Sequence, residues 1–512
     1  MASDELFALI KSMHRTEKRY FKVFASVNEK KGVNIFLKLF EAMDKQSTYD
    51  EKAIKEKFRH EKFIHHLTAT KYYLLKLILK SLRSYHSADS EKVGLNNALT
   101  DIEILHKRGL FDTCLKLIHK WQKTAIRADL YTYYLELTWW EKQTSNRKMY
   151  AGTGEEHLNQ LKEEEKKAID KLRNIIDYDN LKVGWTYHSI KKGTTRNIKE
   201  KQRYSAIAEH PLMQEETKAI TNRSRLSFYA LNVYLSKEKG DIPKSIVWRK
   251  KMVDFFKENP DHINLVPEVF ASAIINLANG YLFKKQYTEA LKVIDQISLL
   301  LDPKYYRDSK LVQADIFANT ISIKTVVFNG LGEYKNTIAL VPEFELEEHR
   351  LNHFIGTVKY LNIIFNFSSA YLAAGDYKKS LFWLNKILNH TETETAEYIH
   401  CFARIVNLVL HYEMKDEELL EYIVRSTYRY LYKRDKLYKV ESSILNFIRR
   451  SSKFDTEKKL LTAFKLLRTE FAVFAKDPYE SRAFEYFDLI SWLDSKIEKR
   501  SIAEIVKGKS TK

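Results

Sequence analysis

The chain has 512 residues, 44% hydrophobic and 30% charged, with only 14 Gly and 7 Pro. So few breakers exclude a collagen-like or low-complexity chain and lean toward helix. Two cysteines exclude a disulfide framework and suggest a reducing, cytoplasmic setting. The net charge of +19 gives some attraction for nucleic acid, anionic lipid or acidic proteins, but the excess is spread along the chain.

The first residues, MASDELFALIKSM, put Asp4 and Glu5 where a secretory leader needs positive charge, and Lys11 interrupts the apolar run. Apolar spacing then predicts helices over 4–12, 15–27, 33–45, 50–58 and 68–85. They read as an N-terminal helical cap domain, 1–90. HRTEKRYFKVFAS at 14–26 is basic and amphipathic, but its long spacing to the next helix suits a cap better than a DNA-reading helix–turn–helix.

From 91 to 415 one short phrase recurs: GLFDTCL at 109, GDIPKSI at 240, KQYTEAL at 285, GEYKNTI at 332 and GDYKKSL at 375. In the last copy, the preceding helix shows Tyr360, Ile363, Ile364, Phe367, Ala370 and Tyr371 at helical spacing. Gly375 ends it, Asp376 caps the next helix, and Ser380 is small enough for close approach. Leu381, Leu384, Ile387 and Leu388 give the second helix its apolar face. Tyr281 stands before Ala290 as Tyr371 stands before Ser380, with Ala278 or Ser368 three residues ahead of each Tyr. Pro260, Pro303 and Pro342 follow second helices and help stop them.

The turns at 240, 285, 332 and 375 repeat every 43–47 residues. Glycine turns at 152–154 and 191–195 fit the longer gap upstream, and 414–418 and 452–457 fit less well. A period of this size means stacked helical hairpins, each burying its apolar face on the next. The expectation is an all-α fold: an α-solenoid with helical N- and C-terminal caps. The second cap covers 416–505, and VKGKSTK at 506–512 reads as a disordered basic tail. The charge-free runs near 269–283 and 360–375 are shorter than the roughly 18 residues of a membrane span.

The set Leu277, Ala278, Tyr281, Ala290 and the set Phe367, Ser368, Tyr371, Ser380 resemble the tetratricopeptide-repeat superfamily. The match is good over 270–303 and 360–390, fair over 217–259 and 316–341, and weak elsewhere. The period exceeds that family's usual roughly 34 residues, so helices or connections are extended. The whole chain also resembles a group of long bacterial helical-repeat proteins. These resemblances imply a fold and a protein-binding scaffold, and no activity or cofactor.

No phosphate loop, GxSxG elbow, HExxH helix or CxxC pair is present, so no enzyme is expected. AGTGEE at 151–156 reads as a turn. EEHLNQLKEEEKKAIDKLR at 155–173 reads as a solvated helix face. His349 and His353 have metal-ligand spacing beside Glu347 and Glu348, but without a third ligand they read as an exposed helix end. Cys114 and Cys401 read as buried apolar residues.

Six asparagines recur in first helices: Asn232, Asn276, Asn279, Asn319, Asn362 and Asn366. In tetratricopeptide-like proteins first helices line the concave groove, which makes these amides, with Lys359 and Tyr360 nearby, candidates for holding the backbone of a partner peptide. The alternative is that they bond between neighbouring helices and fix repeat stacking. Two basic, aromatic-rich stretches give a second function class, nucleic-acid association. One is 182–204, with Lys191, Lys192, Arg196, Trp185 and Tyr187. The other is 425–439, with Arg425, Arg429, Lys433 and Arg434 among Tyr428, Tyr430, Tyr432 and Tyr438. Tyr428, Leu431 and Tyr432 also fit a buried stripe.

Overall fold

A computed structural model describes residues 2–28, 33–87, 90–152, 154–192, 206–297, 309–351, 354–391, 396–451, 454–477 and 480–510. These residues form 25 α-helices and no strand. The all-α class expected from the low Gly and Pro content is observed. The chain divides into two compact units, Met1–Asp170 and Lys171–Lys512.

In the first unit, α1 (Ala2–Ser12), α2 (Arg15–Asn28), α3 (Val33–Lys45), α4 (Glu51–Lys57) and α5 (Leu67–Tyr85) lie within two residues of the expected helices. Their apolar faces meet around Leu6, Ile10, Phe21, Phe40 and Ile78. Lys71 is buried beside this core and donates to Tyr49 Oη and Glu51 Oε2, each at 2.5 Å. Hydrogen bonds from Lys55 and then Lys71 hold the Glu51 carboxyl down at about 2.

Next come α6 (Glu91–Lys107), α7 (Phe111–Arg127), α8 (Tyr131–Arg147) and the start of α9 (Glu155–Lys192). A buried carboxylate, Glu141 of α8, joins three of them. It lies 3.0 Å from both His119 Nε2 on α7 and His157 Nε2 on α9, and its other oxygen accepts from Gln122 Nε2 at 2.7 Å.

In the second unit the helices are α10 (Asn222–Glu238), α11 (Ile242–Glu258), α12 (Pro260–Leu265), α13 (Pro267–Phe283) and α14 (Tyr287–Asp295). They continue as α15 (Lys310–Gly330), α16 (Tyr334–Ala339), α17 (Val341–Leu351), α18 (Thr357–Ala373), α19 (Tyr377–Leu388), α20 (Glu397–Glu413) and α21 (Glu417–Tyr432). The pairs α10–α11, α13–α14, α15–α16, α18–α19 and α20–α21 pack side by side. The last pair crosses 415/416, so that expected boundary falls inside a hairpin.

One turn geometry closes these hairpins. At the end of α18, the Gly375 amide donates to Leu372 O at 3.0 Å and the Asp376 amide to Tyr371 O at 2.9 Å. Gly375 sits at φ 80°, which costs glycine no Cβ clash. The Asp376 side chain then accepts from the Lys379 amide, capping α19 as expected. The same two amide bonds close the turns at Gly240 and Gly332. Lys285 and Lys415 hold the left-handed position, each at φ 56°, where glycine is missing.

Small residues let paired helices approach. Ala278 and Ala290, like Ser368 and Ser380, are fully buried. Pro260 begins α12 and Pro342 lies in the first turn of α17, where a missing amide is tolerated. Pro303 lies outside the described residues. The first helices α13, α15, α18 and α20 also touch one another in order. Among the described residues, α15 alone is long and apolar enough to cross a membrane by length and composition. Here it packs on α13, α14 and α18.

The remaining helices are α22 (Lys439–Ser451), α23 (Glu457–Phe474), α24 (Leu489–Glu498) and α25 (Ile502–Ser510). The last two fold back over the hairpin corners. Glu413, at the end of α20, accepts from Trp492 Nε1 at 2.7 Å and Lys496 Nζ at 2.5 Å. Val506 packs against Tyr334, Ala370 and Ala373. The expected disordered tail from 506 is therefore corrected as far as Ser510. Burial of Ile505 and Val506 and the Lys509–Asp494 ion pair at 2.9 Å hold it as helix.

Candidate functional site

The six asparagines all lie on first helices, and their amides divide into three groups. Asn362 and Asn366 of α18 reach neighbouring first helices. Asn362 Nδ2 donates to Tyr398 Oη of α20 at 3.1 Å, and Asn366 Nδ2 to Thr325 Oγ1 of α15 at 3.0 Å. An asparagine not singled out in the sequence, Asn329 of α15, completes this set. Its Nδ2 donates to Asn366 O at 3.1 Å and its Oδ1 accepts from Thr337 at 2.7 Å. The contacts to Tyr398, Thr325 and Asn366 O tie α18 to α20 and α15, and the one to Thr337 lies within the α15–α16 hairpin.

Asn232 and Asn319 bond backward along their own helices, to Phe228 O at 3.0 Å and Asp315 O at 2.6 Å. Asn276 and Asn279 of α13 differ from the other four. Both are half-buried, and among the described residues neither amide has a hydrogen-bond partner.

Beside them lies a residue the sequence did not single out. Arg249 of α11 is only 4% exposed. Its Nη1 donates to Asn276 O at 2.5 Å, while its buried Nε has no partner. Among the described residues it forms no ion pair. Burial lowers its pKa to about 10. Buried charges are ordinarily paired, and here the guanidinium has a backbone carbonyl in place of a carboxylate. The only sequence signal is Gly280, where a Cβ would meet Arg249 Cδ at 2.7 Å. The glycine leaves room for the arginine.

Lys359 and Tyr360, expected near the groove, have partners. Lys359 pairs with Asp315 at 2.8 Å. Tyr360 is pushed above the ordinary phenol range by burial and by its hydrogen bond to Glu348.

Of the basic candidates, only those around α21 have described side chains. Lys191 and Lys192 end α9, with side chains outside the described residues, and Arg196 lies outside them entirely. On α21, Arg425 pairs with Glu421 at 2.6 Å, and Arg429 and Lys433 are exposed. Arg434 stacks on the Tyr430 ring at 3.8 Å.

Among the described residues no group of three or more His, Cys, Asp or Glu is arranged to hold a metal ion. His349 lines an open depression with Glu345, Leu346, Glu348 and Lys386, and His353 lies outside the described residues. Both cysteines are buried, and burial pushes the Cys401 thiol up to about 12, as suits an unreactive packing residue. No family model, curated protein or solved structure matches the chain.

Proposed function

We propose that the chain is a non-enzymatic protein–protein interaction scaffold. In this reading its hairpins stack as a tetratricopeptide-like α-solenoid, and the first helices line a concave groove for a peptide or protein partner. The ordered contacts among α13, α15, α18 and α20 support the stacking.

One observation carries the binding role. Among the described residues the amides of Asn276 and Asn279 lack hydrogen-bond partners, and the Asn276 carbonyl accepts from a buried guanidinium that lacks a carboxylate. Amide groups can serve both donors and acceptors of an extended backbone. Arg249 adds a preference for an acidic group. A rigid helical array also limits the entropy lost on docking.

The test is capture of a partner from native lysate by the tagged chain, with nuclease and high-salt washes, and its repetition with Asn276→Ala plus Asn279→Ala. A discrete protein that survives both treatments and is lost with the double variant is the expected result. Retention by a folded double variant would sink the groove assignment.

A further inference from the structure

We propose that the outward face of α21, with the turn that follows it, binds single-stranded nucleic acid. This surface is distinct from the Asn276 and Asn279 site on α13, although Arg404 and Glu397 at its edge belong to the first helix α20.

The helix is amphipathic. Leu420, Ile423, Val424, Thr427 and Leu431 face inward and are buried. The sequence allowed Tyr428 and Tyr432 to join that stripe, but only Leu431 does. Tyr422, Tyr428 and Tyr432 are 68%, 48% and 64% exposed. The rings of Tyr428 and Tyr432 are nearly parallel, at 11°, with centroids 5.9 Å apart. Such rings contribute little to the core, and solubility alone would be better served by charge.

Cations flank the rings. Arg429 and Lys433 form no ion pair among the described residues. On the flank of α21 that meets Arg404 of α20, two guanidiniums stack on the one ring of Tyr430: Arg404 at 3.5 Å and Arg434 at 3.8 Å from its centroid. Two groups that close to one centroid must occupy opposite faces of the ring. Arg404 Nη1 donates to His400 O at 3.1 Å and has no carboxylate partner among the described residues. Among the described residues Glu397 is the acid that pairs with this cluster, 3.7 Å from both Arg434 Nε and Lys436 Nζ. The other acids of this helix and turn are Glu417, Glu418, Glu421, which Arg425 neutralises, and Asp435. The positive excess therefore lies in the second half of the helix and its turn, 425–436, where Asp435 is the one acid.

This charge complements a phosphate backbone, and the exposed rings offer faces on which any base can stack. A duplex hides its base faces and would use only the cations. An acidic peptide could pair with the cations, but two nearly parallel exposed rings offer planar faces that suit bases better. The combination favours unpaired nucleic acid.

The test uses the full chain and fluorescence anisotropy with labelled oligouridylate and oligothymidylate of about 20 nucleotides, against a duplex of equal length. Roughly three phosphate contacts on a single strand predict an affinity loss of about 20-fold between about 50 and about 200 mM salt. Tyr428→Ala plus Tyr432→Ala should weaken binding about tenfold or more with an unchanged melting temperature, since both side chains are exposed. Arg429→Gln plus Lys433→Gln should flatten the salt dependence. Asn276→Ala plus Asn279→Ala should leave oligonucleotide binding as it was, so the two surfaces are scored independently. Absence of binding at low salt would overturn the proposal. So would equal affinity for duplex, or full binding by the tyrosine double variant, which would point to an acidic protein partner or a merely cationic surface.

Discussion

Ser368 and Ser380 bond each other across the α18–α19 hairpin. Ser368 Oγ donates to Ser380 O at 3.0 Å, and Ser380 Oγ donates to Ser368 O at 2.8 Å. Both side chains are fully buried, so the hydroxyls set the helix separation as well as satisfying themselves. Ser380→Leu should cost about 2 kcal/mol or more by overpacking the contact. Ser380→Ala should cost about 1 kcal/mol, as Ala290 already serves at the matching place in α14. Urea unfolding would read both; equal costs would show that separation is not set here.

Two glycines with the same backbone conformation should respond differently to alanine. Gly375, at φ 80°, has nothing within 4 Å of its missing Cβ, so Gly375→Ala should cost only the left-handed backbone strain, about 1 kcal/mol. At Gly332 the added carbon would meet Ala503 O at 2.9 Å. Gly332→Ala should therefore also loosen α25 from its corner. Limited proteolysis within 489–510 should rise for Gly332→Ala alone.

The cluster on Glu141 predicts a pH window. Its hydrogen bond to Glu141 raises His119 above 6.5. That contribution is full below the unfolded histidine value and is lost as pH rises through the elevated folded value. Burial alone would raise Glu141, but hydrogen bonds from His119, Gln122 and His157 outweigh it and hold the carboxyl below 4.5. That contribution is present above 4.5 and is lost as pH falls through the depressed value. The melting temperature should thus fall as pH rises past 6.5, and His119→Gln should flatten the fall. An unchanged slope in the variant would remove His119 as its source.

The asparagines should separate by role. Asn366→Ala removes the bond to Thr325 between first helices and should cost about 1 kcal/mol of stability. Asn276→Ala and Asn279→Ala break no internal hydrogen bond and should leave unfolding curves within about 0.5 kcal/mol of the parent. A large stability loss at Asn276 would mean that its amide is structural.

The hairpins were legible because their determinants are local. Gly375 followed by Asp376 encodes both the left-handed turn and the cap within two residues. Ser380 and Ala290 record close approach by size alone. Residues 506–510 were misread because what orders Val506 lies at Tyr334, Ala370 and Ala373, far away in sequence. Tyr428 and Tyr432 were ambiguous because their spacing from Leu431 suits either side of a helix. The asparagine register was visible, but not which amides were already engaged. Arg249 left no trace except Gly280 on another helix.

The clasp of α24 and α25 over the hairpin corners has a consequence for synthesis. The corners at Gly332, Tyr377 and Glu413 emerge from the ribosome well before Trp492, Lys496 and Val506. Until those residues arrive, Tyr334 and Ala373 have lost one wall of their cluster and Glu413 lacks two of its donors. Local hairpins can form early, but this closure is non-local and must wait. A message cut short before Trp492 would thus yield a chain with formed hairpins and an open apolar seam, a product that proteases and chaperones can tell from the finished one.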